Sequence, residues 1–164
     1  MPLLKDGKIA DDQWTAVADD APLPADRPVI VSLERWQKEK DVLAGRNAPL
    51  GVRLKSDQSP ELIREDLGRF GLVALDFPHF KDGRAYSYAR LLRERFGYKG
   101  ELRAVGNVLR DQYMFMQRCG FDAFEVKDAR AVEAWQQAMT EMSVWYQPTA
   151  DGRRTAIQIR HPSK

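Results

Sequence analysis

Cations gather where predicted strands give way to helices. Arg53 and Lys55 lie at the end of LGVRL. Asp76, His79, Lys81 and Arg84 follow LVAL, Gly106, Asn107 and Arg110 follow ELRAV, and Glu125 and Lys127 close FDAFEV. In α/β proteins ligands bind at the edge where strands end and helices begin, so these positions share one edge. Gly83 and Gly106 let backbone amides approach, and helix N-termini point at the same edge. A phosphate, sulfate, sulfite or carboxylate would meet charge and donors together there. Arg53, Lys81, Arg84, Asn107 and Arg110 form the expected anion-binding set. The competing arrangement is a row of solvated loop charges paired with Asp76, Asp82, Asp111 and Glu125.

His79 is the residue type suited to proton transfer near neutral pH, its unperturbed pKa being about 6.5. Asp76 stands three residues before it and Asp82 three after. A carboxylate beside an imidazole fixes its tautomer and raises its basicity, which makes His79 and Asp76 the candidate acid–base pair. A histidine between Pro78 and Phe80 serves equally as a packing or capping residue. Cys119 falls in the last turn of a predicted helix, where the negative dipole end disfavours a thiolate, so a core role is expected. Tyr86 and Ser87 are placed to face a ligand or partner, and the acidic arm, the basic run Arg90, Arg93, Arg95 and Lys99, and the aromatic pair Trp145 and Tyr146 are candidate docking surfaces.

No G-x-G-x-x-G, P-loop, C-x-x-C or G-x-S-x-G motif occurs, so no cofactor is evident. The single cysteine excludes an internal disulfide and a thiolate-only cluster, which needs about four ligands. With 26 Lys and Arg against 24 Asp and Glu the charge is too balanced for nucleic acid. MPLLKDG lacks an apolar leader core, and no apolar run approaches the ~20 residues of a membrane span. A cytoplasmic protein without membrane segments is expected.

At 164 residues the chain suits one main domain. LLKDGKI predicts a hairpin turning at Asp6 and Gly7. The acidic, proline-rich segment after it reads as an irregular arm held by Trp14, so residues 1–28 form hairpin and arm. Strands are expected at PVIVSL, LGVRL, LVALDF, ELRAVG and FDAFEV. Helices are expected after Ser32, Ser59, Asp82 and Asn107, and after Asp128, which caps the last. The face of the Ser59 helix is Leu62, Ile63, Leu67 and Phe70. That of the Asn107 helix is Val108, Leu109, Phe115, Met116 and Cys119. Ala131 through Met142 and Trp145 keep helical spacing. These elements fill residues 29–147, and residues 148–164 read as a flexible tail. Five strands, each followed by a helix, predict an α/β fold with a mostly parallel sheet, either open and doubly wound or a partial β/α barrel. The open sheet is preferred because a partial barrel leaves edges to cover.

DGRAYSYARLLRERFGYKGELRAVGNVLRDQ and RCGFDAFEV, with PLLKDGKI, PLGVRL and LDFPHF, resemble the bacterial family of domain of unknown function nine-three-four. The resemblance covers roughly residues 1–148. It implies a place in sulfur assimilation, in sulfite reduction, and it carries over no catalytic residues. The expectation is an accessory or partner protein of the sulfite-reducing machinery, with sulfite reductase or another sulfur-assimilation protein as partner. The alternative is a small enzyme or sensor that binds an anionic sulfo- or phospho-metabolite at the strand ends.

Overall fold

The computed structural model describes residues 1–127 and 131–161. The hairpin forms as expected. β1 (Leu3–Lys5) and β2 (Lys8–Ala10) pair antiparallel across Asp6 and Gly7, both at positive φ as a type I′ turn requires. The five predicted strands are present as β4 (Val29–Ser32), β5 (Leu50–Leu54), β6 (Phe70–Phe77), β7 (Glu101–Gly106) and β8 (Ala123–Glu125). The arm is not wholly irregular: Thr15–Ala16 forms β3, parallel to β4.

The eight strands build one sheet in the order β2-β1-β8-β7-β6-β5-β4-β3. From β3 to β8 every neighbouring pair is parallel, and β1 joins β8 antiparallel. From β3 to β8 strand order follows chain order without a reversal, and the β1–β2 hairpin adds beside β8. A doubly wound sheet requires a reversal, so that part of the expectation is corrected, while the sheet is curled and mostly parallel with β2 and β3 as its end strands. The physical reason lies in the faces. Val29, Val31, Val52, Leu54, Val73, Leu75, Phe77, Leu102, Ala104 and Phe124 share one apolar core with residues of every helical layer. The alternate positions carry Ser32, Arg53, Asp76, Glu101, Arg103 and Glu125, beside only a small apolar cluster of Ile30, Leu72, Ala74 and Val105. Only one face is apolar enough to bury helices.

Ser32 caps α1 (Leu33–Lys38), its hydroxyl accepting from Arg35 N at 3.0 Å, and α2 (Lys40–Ala44) continues it beyond Glu39. The segment after Ser59 is a 3₁₀ helix, Pro60–Arg69. Its three-residue period stacks Pro60, Ile63 and Asp66 on the inner side. There Asp66 accepts from Trp36 Nε1 at 3.1 Å and pairs with Lys40 at 2.7 Å. Leu62 consequently faces out and Phe70 belongs to β6. α3 (Arg84–Arg90) runs into a π-helical turn, Leu91–Arg95, and ends at Gly97 with φ +64°. The helix predicted from Asn107 begins only at Tyr113, as α4 (Tyr113–Arg118) after a 3₁₀ turn at Arg110–Gln112. The later start rotates the buried face to Tyr113, Met114 and Met116, and leaves Phe115 62% exposed. α5 (Ala131–Thr140) buries Trp135 and Ala138, and the proposed cap Asp128 lies outside the described residues. Met142 is exposed beyond the helix end. Trp145 bridges instead to Thr155, which opens α6 (Ala156–Arg160) with a capping box to Gln158. Arg118 stacks on Trp145 at 4.1 Å and binds Asp151 at 3.2 Å, so residues 145–155 contact the body of the domain.

The helix-free face of the sheet is crossed by the arm. Arg103, at 1% exposure, donates to Asp12 Oδ2 at 2.7 Å and Oδ1 at 2.9 Å and to Glu101 at 2.9 Å, with Glu125 at 3.9 Å. Trp14 then packs on the small apolar cluster, its ring against Gly71. At the end of β7, Gly106 has φ +87°, and a Cβ there would lie 2.5 Å from Asp76 Oδ1 and 2.7 Å from the Phe77 carbonyl oxygen.

Two predictions arise from these contacts. Partial burial pushes the Asp12 carboxyl up, but the bonds from Arg103 and the Trp14 amide outweigh it and hold the group below its ordinary range. Its contribution is therefore present above the unfolded carboxylate pKa of about 3.9 and is lost as pH falls through the lower folded value. Asp12→Ala should cost about 2 kcal/mol in urea unfolding at pH 7, and the gap to wild type should narrow in strong acid. Gly106→Ala should cost about 2 kcal/mol or more in the same measurement, because it adds unfavourable positive φ to a collision with backbone.

Candidate functional site

At the C-terminal ends of β4, β5 and β6 the arm and the sheet enclose a cleft of about 340 Å³, with Arg53, Lys55 and Asp76 on one side and Ala16, Ala18 and Ile30 on the other. The parallel register places Ser32 beside Arg53 and Arg53 beside Ala74, so Ser32, Arg53 and Asp76 project from the same sheet face. Arg53 Nη2 donates to Asp76 Oδ1 at 3.0 Å. Ser32 Oγ donates to Asp19 at 2.6 Å while accepting from Arg35 N, which fixes its hydroxyl. Lys55 is drawn to Glu34 at 2.5 Å, and Gln58 Nε2 donates to the same Glu34 oxygen at 3.1 Å.

The remaining predicted site residues do not join this cleft. Arg84 grips Asp82 with Nε at 2.9 Å and Nη2 at 2.6 Å, and also donates to Ser56 at 3.1 Å. The Arg84 guanidinium, with Ser56 second, holds the Asp82 carboxyl far below the usual carboxylate range. This knot also caps α3, since Arg84 N donates to Asp82 Oδ1 at 3.2 Å. Arg110 reaches across to Glu141 at 2.8 Å and Gln137 at 3.4 Å. His79 and Lys81 are exposed on the loop after β6, and Asn107 is held by its backbone amide on the Phe77 carbonyl at 2.7 Å. Asp76 bonds to Arg53 and not to His79. The sequence-based set is thus divided: Arg53 and Asp76 come together, while Arg84 and Arg110 are each committed to a neighbouring carboxylate.

A second concavity lies on the helical side. Tyr86, Ser87 and Arg90 of α3 face Gln112, Phe115 and Cys119 across a groove of about 590 Å³. Burial pushes the Tyr86 phenol up to about 12, and its ring packs edge-on to Phe77 at 5.2 Å. Burial likewise raises the Cys119 thiol, against the pull of Arg90 and Arg118, which disfavours a thiolate there. Gln112 Oε1 is buried there without a hydrogen-bond partner. Ser87 and Arg90 also line a smaller depression, of about 440 Å³, with Tyr88, Leu91, Glu94 and Arg95. Tyr86 and Ser87, expected to face a ligand or partner, line this groove. Phe115 was missed because its helix starts six residues later than its periodicity suggests.

Arg103 and Asp12 also escaped the sequence reading, although an arginine alternating with Leu102 and Ala104 in a mid-sheet strand signals a buried ion pair. Among the described residues no three His, Cys, Asp or Glu side chains converge to hold a metal ion, and no helix is long and apolar enough to cross a membrane.

No curated protein matches this chain. A family model described as bacterial protein of unknown function (DUF934) matches residues 51–157, which takes in β5 through β8, α3 to α5 and the opening of α6. That span extends past the point where the sequence resemblance was expected to fade, in keeping with the contacts that tie residues 145–155 to the domain. With more than half of its length matched, the chain belongs to the bacterial DUF934 family.

Proposed function

We propose that this protein is an accessory partner of assimilatory sulfite reduction and acts through the α3–α4 groove. The pathway follows from what the family resemblance implies. The role follows from how charge is spent at the strand ends. Arg53, Lys55, Arg84 and Arg110 each already face a carboxylate of this chain. A catalytic anion clamp keeps its cations for substrate.

One observation carries the docking reading: Phe115 stands 62% exposed beside a buried Gln112 oxygen that lacks a donor. A large apolar ring on the surface next to an unsatisfied acceptor and an arginine is the composition of a binding hot spot. A partner segment that lays an apolar side chain on Phe115 would cover the exposed ring.

A second reading is an enzyme or sensor that holds a small charged metabolite at the strand ends. The cleft bordered by Arg53 and Asp76 favours it.

For the docking reading, purified protein should associate with sulfite reductase in sedimentation or calorimetry, and Phe115→Asp should weaken that association about thirtyfold, as loss of a central aromatic does. Deleting the gene should slow growth with sulfate as sole sulfur source. Absence of association together with normal growth would sink it.

A further inference from the structure

The strand-end cleft carries charges of both signs, and this narrows what it can hold. Arg53 spends one donor on Asp76 Oδ1, and a guanidinium has five. Arg53 is 46% exposed and Asp76 18%, so both reach solvent inside the cleft. The second Asp76 oxygen accepts no hydrogen bond from the described residues. A simple anion seated on Arg53 would lie against the Asp76 carboxylate. A simple cation seated on Asp76 would lie against Arg53 and Lys55. Only a ligand with a positive and a negative group a few ångströms apart finds both partners.

We propose that this cleft binds an α-amino acid as its zwitterion, with the carboxylate on the free edge of Arg53, the ammonium on Asp76 and a small aliphatic side chain on Ala16 and Ile30. This rests on the strand-end reading of function. The planar fork of arginine matches a carboxylate bidentately, and the ammonium gains a charge-assisted bond to the Asp76 oxygen that Arg53 leaves open. Lys55 does not compete, because Glu34 holds it at 2.5 Å. Ser32 does not either, since its hydroxyl is already committed to Asp19 and to Arg35 N. The apolar wall comes from the sheet register, where Ala16 stands opposite Ile30. At about 340 Å³ the cleft sits at the small end of metabolite sites, which suits a ligand of amino-acid size.

The test is a thermal-shift and calorimetric titration of the full chain with each of the common α-amino acids. The same titration covers matched probes that lack one charge, isobutyrate and isobutylamine against valine, and inorganic sulfate and phosphate. At least one aliphatic amino acid should raise the midpoint, neither single-charge probe should do so, and Arg53→Gln and Asp76→Asn should each weaken binding at least tenfold. A circular-dichroism spectrum equal to wild type separates this from misfolding. If sulfate or phosphate binds in an Arg53-dependent way while no amino acid does, the zwitterion assignment is overturned and the strand-end site remains. If no probe binds wild type, both are overturned.

Discussion

A guanidinium buried at the centre of the sheet sets the terms for the rest of the molecule. Arg103 projects from β7 on the face that no helix covers, and at 1% exposure it has given up its water. The effective cost of removing such a charge from solvent is several kcal/mol, recovered only when its donors are fully occupied. Glu101 supplies one partner from the same strand, and Asp12 supplies a two-bonded partner from outside the sheet. Asp12 can do so only if the arm leaves β2 at one edge and crosses the open face. It then passes Trp14 over Gly71 and reaches β4 at the other side, where Thr15 and Ala16 pair as the final strand. The ion pair thus determines the path of the N-terminal segment, and that path builds the outer wall of the cleft.

Sheet order has a matching consequence. Because strands follow one another without reversal, the helical layers stack on a single face and the crevice that a strand-order switch would open is absent. The concave space that exists is made by an added segment, the arm, over the ends of β4 to β6. Its polar lining is accordingly whatever the open face presents, and that face is balanced: Arg53 against Asp76, Lys55 against Glu34, Arg103 against Asp12 and Glu101. The partly exposed pairs among these, Arg53–Asp76 and Lys55–Glu34, add little stability. Their value is in geometry, because each holds its partner at a fixed place on the sheet edge.

Much of this was legible in the residues. Short apolar-rich runs located β4 to β8, the Asp6–Gly7 pair located the hairpin, and Ser32 and Ser59 located two helix starts, because each signal is local. What failed depends on distance. LGVRL and ELRAVG alternate between apolar and charged positions, which marks a sheet with one dry face. The doubly wound preference rested on edges left to cover, and strand order is a long-range property that no local run encodes. The period of Val108, Leu109 and Phe115 is helical on paper. Gly106 at φ +87° and the Asn107 amide bond to Phe77 keep the chain extended through Leu109, so the helix starts late and exposes Phe115. At the site, residue type identified the edge and two of its members, Arg53 and Asp76. It could not show which cations had a carboxylate within 3 Å, as Arg84 and Arg110 do.

The two surfaces are back to back across one strand end. Asp76 faces the cleft, and the next residue, Phe77, faces the helical side, where its ring meets Tyr86 at the groove. Adjacency of this kind invites the idea that ligand in the cleft governs partner in the groove, but contiguity alone transmits nothing. Coupling requires an element with two arrangements that both sites bias. The end of β6 lacks that freedom among the described residues. Gly106 packs so closely on Asp76 and on the Phe77 carbonyl that no side chain fits, the Asn107 amide closes on Phe77 at 2.7 Å, and Phe77 is wedged between Tyr86 and Phe121. A junction packed this tightly ties the position of the cleft wall to that of the groove wall, because Asp76 and Phe77 are consecutive residues of one clamped strand end.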